Sequence, residues 1–229
     1  MTLIKEISRI KNLMLISESE MTFSDTVNPK HKSRIEDIPN GYFKDYNYEK
    51  FKELDYPENE SDEVVKELQT LAKIDVDDSF VEKMDDVYKT YKDFLKSKDL
   101  TLNKSEVKKL LDKSGAVILD VKYHYNRPRP YQLNKVHNVK MDKKMMDSMK
   151  SPSFPSGHAT QGLLIGKILA DKYPKYKNDL LDIADDISYS RNMAKAHFPS
   201  DTEVGKKMAE DMYDYLKKQG HLDSIKDKL

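Results

Sequence analysis

The stretch PSGHATQGLLIGKILADKY, residues 155–173, is where the fold is easiest to read. A Pro-Ser-Gly turn opens it, and Leu163, Leu164, Ile165, Ile168 and Leu169 then recur at helical spacing, which predicts a helix from Gly157 to Tyr173. The same period continues downstream. Asn178 to about Lys195 carries Leu181, Ala184, Ile187 and Ala194. Thr202 to Lys218 carries Val204, Met208, Met212, Tyr213 and Leu216, with Gly220 as a stop.

Upstream, Ser61 begins a helix through Ala72, and Asp77 or Asp78 begins one running to Leu95. Ser105 begins another that ends at Arg127-Pro128-Arg129-Pro130, where proline removes a donor and restricts the residue before it. A short Met-rich helix is expected near 142–149, and Leu3, Ile4, Ile7, Ile10 and Met14 predict a first amphipathic helix. Residues 19–60 are polar, contain Pro29, Pro39, Gly41 and Pro57, and read as an irregular arm. No segment reads as a strand, so the class is all-α, a helical bundle. The expected organisation is an N-terminal helix and arm over 1–60 and a helical domain over 61–229.

Composition narrows the function by exclusion. Forty Lys+Arg balance forty Asp+Glu, and mean hydropathy is −0.80, so no global charge calls for a nucleic-acid polymer. The absence of Cys removes disulfides, thiol nucleophiles and Cys metal sites. No apolar run approaches a membrane span. Residues 1–20 lack secretory character, since Leu13 to Ile16 is their longest apolar run. A cytoplasmic or otherwise unexported product is the expectation.

Three blocks carry chemistry: Lys122-Tyr-His-Tyr-Asn-Arg-Pro-Arg129-Pro130, then Pro155-Ser156-Gly157-His158, then Ser190-Arg191 followed by His197 and Asp201. Lys122, Arg129 and Arg191 are three cations at separate helix ends, suited to a multiply charged oxyanion if they converge. Ser156 and Gly157 lie where a loop enters a helix, so free amides and a hydroxyl can face an anion. His197 and Asp201 are four apart, so the carboxylate can fix the imidazole tautomer and leave the other nitrogen as nucleophile or base. His158 can protonate a leaving alcohol. These are the parts that in-line phosphoryl transfer requires.

Singly, each feature is an ordinary surface or turn feature. Jointly, eleven specified positions coincide, with a chance of about 10⁻⁸ over all ordered placements. The blocks resemble the signature of the type 2 phosphatidic acid phosphatase superfamily, whose members include the bacterial class A non-specific acid phosphatases and the vanadium-dependent haloperoxidases. The resemblance spans residues 122–205. It implies the family's helical bundle and a soluble phosphatase hydrolysing phosphate monoesters through a phosphohistidine. It implies His197 as nucleophile, Asp201 as its orienting partner and His158 as acid. It also implies Lys122, Arg129, Ser156, Gly157 and Arg191 as phosphate ligands. Gly205 fits a small position frequent in the family. No metal or other cofactor is implied; vanadate would be an inhibitor or, in the alternative reading as a haloperoxidase, the cofactor. The partner is a small-molecule phosphate ester, and a homo-oligomer is compatible with the sequence. A non-catalytic binding protein of the same fold is the other alternative.

Outside the blocks, His124 reads as structural or exposed, and Arg127 as a surface cation or a fourth phosphate ligand. Tyr123, Tyr125 and Tyr131 are candidates for the mouth of the site, while His31, His137 and His221 read as solvent-exposed. The Lys-, Asn- and Asp-rich style resembles proteins of tailed bacteriophages.

Overall fold

The computed structural model describes residues 22–229, so the first amphipathic helix expected over Leu3 to Met14 lies outside the described residues. The described residues are helical, with no strand among them. The helices are α1 (Pro29–Glu36), α2 (Asp62–Ala72), α3 (Asp78–Asp85), α4 (Val87–Lys96) and α5 (Lys104–Tyr125). They continue as α6 (Pro130–Val136), α7 (Gly157–Lys172), α8 (Lys177–Met193), α9 (Pro199–Lys218) and α10 (His221–Lys228). None of them is long and apolar enough to cross a membrane.

The expected helix beginning at Gly157 is α7, and it is the axis of the bundle. It packs mainly on α8 and α9, with α4, α5 and α10 completing the shell. Close approach depends on its glycines. A Cβ on Gly166 would lie 2.6 Å from the Tyr91 hydroxyl and 3.0 Å from the Leu180 carbonyl. Tyr91 uses that gap to reach between α7 and α8, and its hydroxyl donates to the Gly162 carbonyl at 2.8 Å. Gly205 on α9 plays the matching part at the site end: a Cβ there would stand 2.6 Å from the Ser156 carbonyl. That neighbour is backbone and cannot swing away. Gly205→Ala should therefore cost about 1–3 kcal/mol in denaturant unfolding, by overpacking. An unchanged midpoint would show that α9 can shift freely against the turn before α7.

Several helices differ from their sequence expectation, each for a local reason. The single helix expected from Asp77 to Leu95 is broken at Asp86, which turns extended (φ −100°, ψ 96°) and caps α4 by accepting from Lys89 N at 2.9 Å. Helix α5 starts earlier than Ser105, because Asn103 accepts from Ser105 N at 3.1 Å. The proline pair ends α5 as expected, but Pro130 also opens the short helix α6, where its missing N–H costs nothing. The Met-rich segment is not a helix beyond one 3₁₀ turn at Asp147–Met149. Its backbone follows α8 instead, with Lys144 N on the Ala194 carbonyl at 3.3 Å and Met149 buried beside Val81, Ala194 and Ala196. Gly220 does stop α9 at φ +70°, and α10 follows at once, burying Leu222 and Ile225.

The polar arm belongs to the same core as the rest. Ile38, Phe43, Tyr46 and Phe51 are buried in one cluster with Val117, Met212 and Leu216. Tyr46 is tied to α9 by its hydroxyl, which donates to Asp211 at 2.6 Å. The arm thus wraps α5 and α9, and α1 lies along α5. That contact gives the site a wall the motif blocks do not supply.

Candidate active site

The ends of α5, α7 and α8 and the start of α9 meet at one end of the bundle, around a cavity of about 760 Å³. Five of the expected residues line it: Lys122, Arg129, Gly157, His158 and His197. Ser156, Arg191 and Asp201 stand behind that wall, all fully buried.

Lys122 ends α5 pointing into the loop before α7, where Nζ donates to the Pro152 and Ser153 carbonyls at 2.6 and 3.0 Å. Arg129 uses Nε on the Ser151 carbonyl at 2.9 Å and Nη1 on the Ala196 carbonyl at 2.7 Å. Among the described residues neither cation has a carboxylate within ion-pair distance. Burial, reinforced by Arg129 and Arg191, pushes the Lys122 ammonium well below its ordinary range. Burial and Arg191 lower Arg129 to about 10. Carbonyl dipoles hold these cations in place without neutralising them, so the end of the cavity is poised for an anion.

The other two arginines are paired. Arg191 Nη1 meets Asp85 at 2.6 Å and Nη2 donates to the Ser148 hydroxyl at 2.9 Å. It charges the site from behind. Arg127, read as a surface cation or a fourth ligand, is neither. It is fully buried, with Nη1 on Asp201 at 2.5 Å and Nη2 on Glu67 at 3.2 Å, and its guanidinium lies 4.1 Å over the Phe198 ring.

His197 follows α8 and precedes α9, with Asp201 in the first turn of α9. Nδ1 faces Asp201 Oδ2 at 3.5 Å, and Nε2 faces Arg129 Nη1 at 3.4 Å. A guanidinium can only donate, so Nε2 presents its lone pair on the cavity side. The sequence reading expects Asp201 to favour charge on this ring. Burial outweighs that, with Arg129 and Lys122 adding to it, and His197 is pushed well below its ordinary value. It is therefore neutral at neutral pH. Asp201 itself is held far below the usual carboxylate range; burial opposes this, but Arg127, His197 and Ser153 prevail. Its Oδ2 also accepts from Phe198 N at 2.9 Å and from the Ser153 hydroxyl.

His158 occupies the first turn of α7. Ser156 caps that helix, its hydroxyl accepting from Ala159 N at 3.4 Å. The His158 Nε2 lies 2.9 Å from the Asp85 carbonyl and 3.4 Å from its carboxylate. A carbonyl only accepts, so Nε2 carries a hydrogen and Nδ1 is the atom left for exchange. Burial and Arg191 lower this histidine, against the pull of Asp85.

Sequence reasoning missed Asp85. It closes α3 where Asp86 breaks the helix, and the break leaves its carbonyl for His158 while its carboxylate serves Arg191. The only signal was a pair of aspartates inside an apolar helical pattern. Ser153 and Glu67, which complete the surroundings of Asp201 and Arg127, carried no signal at all. His31 and His137 are half-buried rather than solvent-exposed: His31 Nδ1 lies 2.8 Å from the Tyr123 hydroxyl, and His137 Nε2 lies 2.7 Å from the Asn59 carbonyl. His124 and His221 are exposed. Tyr123, Tyr125 and Tyr131 are half-buried around the site rather than in the cavity wall.

The cavity thus brings together two cations with no carboxylate partner among the described residues, the helix N-terminus at Gly157 and the imidazoles of His158 and His197. Compared with known proteins, residues 111–209 match the family model described as PAP2 superfamily. No curated protein matches the chain.

Proposed function

We propose, from the match of residues 111–209 to the model of the PAP2 superfamily, a family of phosphatases and related hydrolases, that this chain hydrolyses phosphate monoesters through a phosphohistidine on His197. The observation that carries the reading is that both imidazoles line one cavity together with Lys122 and Arg129, which have no carboxylate partner among the described residues.

In this reading the phosphate dianion sits against Lys122, Arg129 and the Gly157 amide, with Arg191 adding charge from behind. His197 Nε2 attacks phosphorus, the ester P–O bond breaks, and the leaving alkoxide takes the proton from His158 Nδ1. Water then gives a proton back to His158 and attacks phosphorus, and the P–N bond breaks, restoring the Nε2 lone pair. Asp201 keeps the ring turned with Nε2 outward and stabilises the positive charge that forms on it. No step uses a metal ion. Vanadate, which takes the shape of the five-coordinate transition state, is a competitive inhibitor in this scheme. The narrower likeness to class A acid phosphatases is part of the same proposal.

The test is hydrolysis of an aryl phosphate together with an alkaline quench, which preserves the acid-labile P–N bond of phosphohistidine, and mass spectrometric mapping of the phosphoryl group. Trapping on His197 supports the scheme; turnover with the group on another residue, or no turnover at pH 4–8, overturns it.

The pH profile follows from the two lowered histidines. His158 must be protonated to act as acid, and its value in the free protein is below 6.5. The falling limb of kcat/KM should therefore lie below the ordinary histidine value of 6.5. His197 must be neutral, and its value is lowered further, so the rising limb lies at still lower pH. Both limbs fall on the acid side. Asp85 raises His158, so Asp85→Asn should move the falling limb to lower pH and reduce kcat/KM about 10–100-fold at pH 6. A pH–rate series on both proteins checks this, and an unmoved limb would remove Asp85 from the acid's environment.

A further inference from the structure

The cavity is larger than a phosphate needs, and its far wall comes from outside the matched segment. Lys30, His31 and Arg34 of α1 line it. Along its floor, Leu111, Gly115, Ile118, Leu119 and Lys122 form one face of α5. At Gly115 the side chain is missing where Arg34 lies: a Cβ there would stand 2.3 Å from Arg34 Nη2. A glycine inside a helix is less stable than alanine, and this one makes room for a guanidinium. Among the described residues Arg34 is held through Nη2, which donates to the Asp112 carbonyl at 3.2 Å and lies 3.6 Å from its carboxylate. Both side chains are substantially exposed, so this pair is weak and a better acceptor can replace it.

Gly115 and Lys122 are seven residues apart, two turns of α5, which is about 10.5 Å along the axis. The floor between them is apolar at Ile118 and Leu119. The cavity thus has a cationic end at Lys122 and Arg129, an apolar middle, and a second cationic end at Arg34 and Lys30. The lining charges that α1 and α5 bring to the outer end are Lys30 and Arg34 against Asp112, a net positive set. His31 stands between the two ends, lowered first by burial and then by the charges of Arg34 and Lys122.

We propose that this cavity selects phosphate esters bearing a second phosphate about 10 Å from the first, on a body the size of a sugar or nucleoside, and that Arg34, seated over Gly115, is the specificity-determining residue. The proposal rests on the phosphatase reading only for the identity of the inner end. The cavity volume of about 760 Å³ lies within the ordinary range for ligands of that size. Arg34 offers a planar fork to the second phosphate, and Lys30 stands at the exposed rim beside it.

Inert phosphonates test this without turnover. Calorimetric titration should show hexane-1,6-bisphosphonate binding about tenfold or more tighter than hexylphosphonate, while methylenebisphosphonate, whose phosphorus atoms share one carbon, gains nothing over methylphosphonate. Arg34→Gln should erase the advantage of the long bisphosphonate and leave hexylphosphonate unchanged, which also shows that the variant is folded. Gly115→Ala, which pushes the guanidinium off α5, should do the same. If hexylphosphonate and the long bisphosphonate bind equally, the outer subsite is overturned and the inner cradle stands. If Arg34→Gln weakens both alike, Arg34 is only part of the wall and the proposal fails. If no phosphonate binds, the cradle itself is wrong, and the subsite falls with it.

Discussion

His197→Ala should abolish turnover of phosphate esters, with an expected loss on the order of 10⁴-fold or more, while the variant should stay folded and keep its anion site. The size follows from losing the proposed nucleophile. The retained fold follows from what Asp201 still holds. Its carboxylate keeps Arg127 at 2.5 Å, Phe198 N at 2.9 Å and the Ser153 hydroxyl, so no buried charge is left bare. Lys122 and Arg129 keep their carbonyl partners on the loop over 151–153 and at Ala196. Vanadate or a simple phosphonate should therefore still bind, and steady-state rates with calorimetry on the same preparation separate the two properties. Residual activity within tenfold of the parent would place the nucleophile elsewhere.

The second large effect is on stability. Asp201→Ala removes the acceptor of three buried donors and leaves the Arg127 guanidinium with Glu67 and Ser200 alone. Breaking a buried pair in this way costs about 3–5 kcal/mol, a large share of the total for a domain of this size. Because the folded-state value of Asp201 is depressed, its contribution is fully present above the unfolded carboxylate value near 3.8 and is lost as pH falls through the folded value. The two histidines act in the same sense, over a higher pH range. Both are lowered, so the unfolded chain takes up protons that the folded chain refuses, and the parent protein should lose stability as pH falls below about 6.5. Urea unfolding of parent and Asp201→Ala at pH 7 and pH 5 measures both. A loss below 1 kcal/mol at pH 7 would mean that Arg127 finds another acceptor.

How much of this was legible follows from where each residue sits in the chain. Lys122, Arg129, His158 and His197 were readable because their types and spacings are constrained by the helix ends that carry them, and the structure brings all four to one cavity. Helices α2, α7, α8 and α9 were readable because their apolar period is unbroken. Asp85 was not, because its role depends on α3 ending beside α7 and α8, a tertiary fact with no trace in local spacing. Arg127 was misread because a buried arginine with a carboxylate on each side has the same sequence appearance as an exposed one. The Met-rich segment failed as a helix because its methionines serve as separate plugs, Met149 into the core and Met146 against Arg191, rather than as one face. His31 and Arg34 were invisible because an arm judged only as polar says nothing of what it lies against.

The break at Asp86 bears on how small a working version of this protein can be made. The segment that carries the family resemblance begins at residue 111, whereas the counter-charge of Arg191 is at Asp85 and that of Arg127 is shared with Glu67. A fragment trimmed to the recognisable segment would keep every residue of the three blocks and lose the groups that balance two of its arginines. A fragment that keeps both counter-charges therefore starts no later than the cap of α2 at Ser61, well before the segment that carries the resemblance.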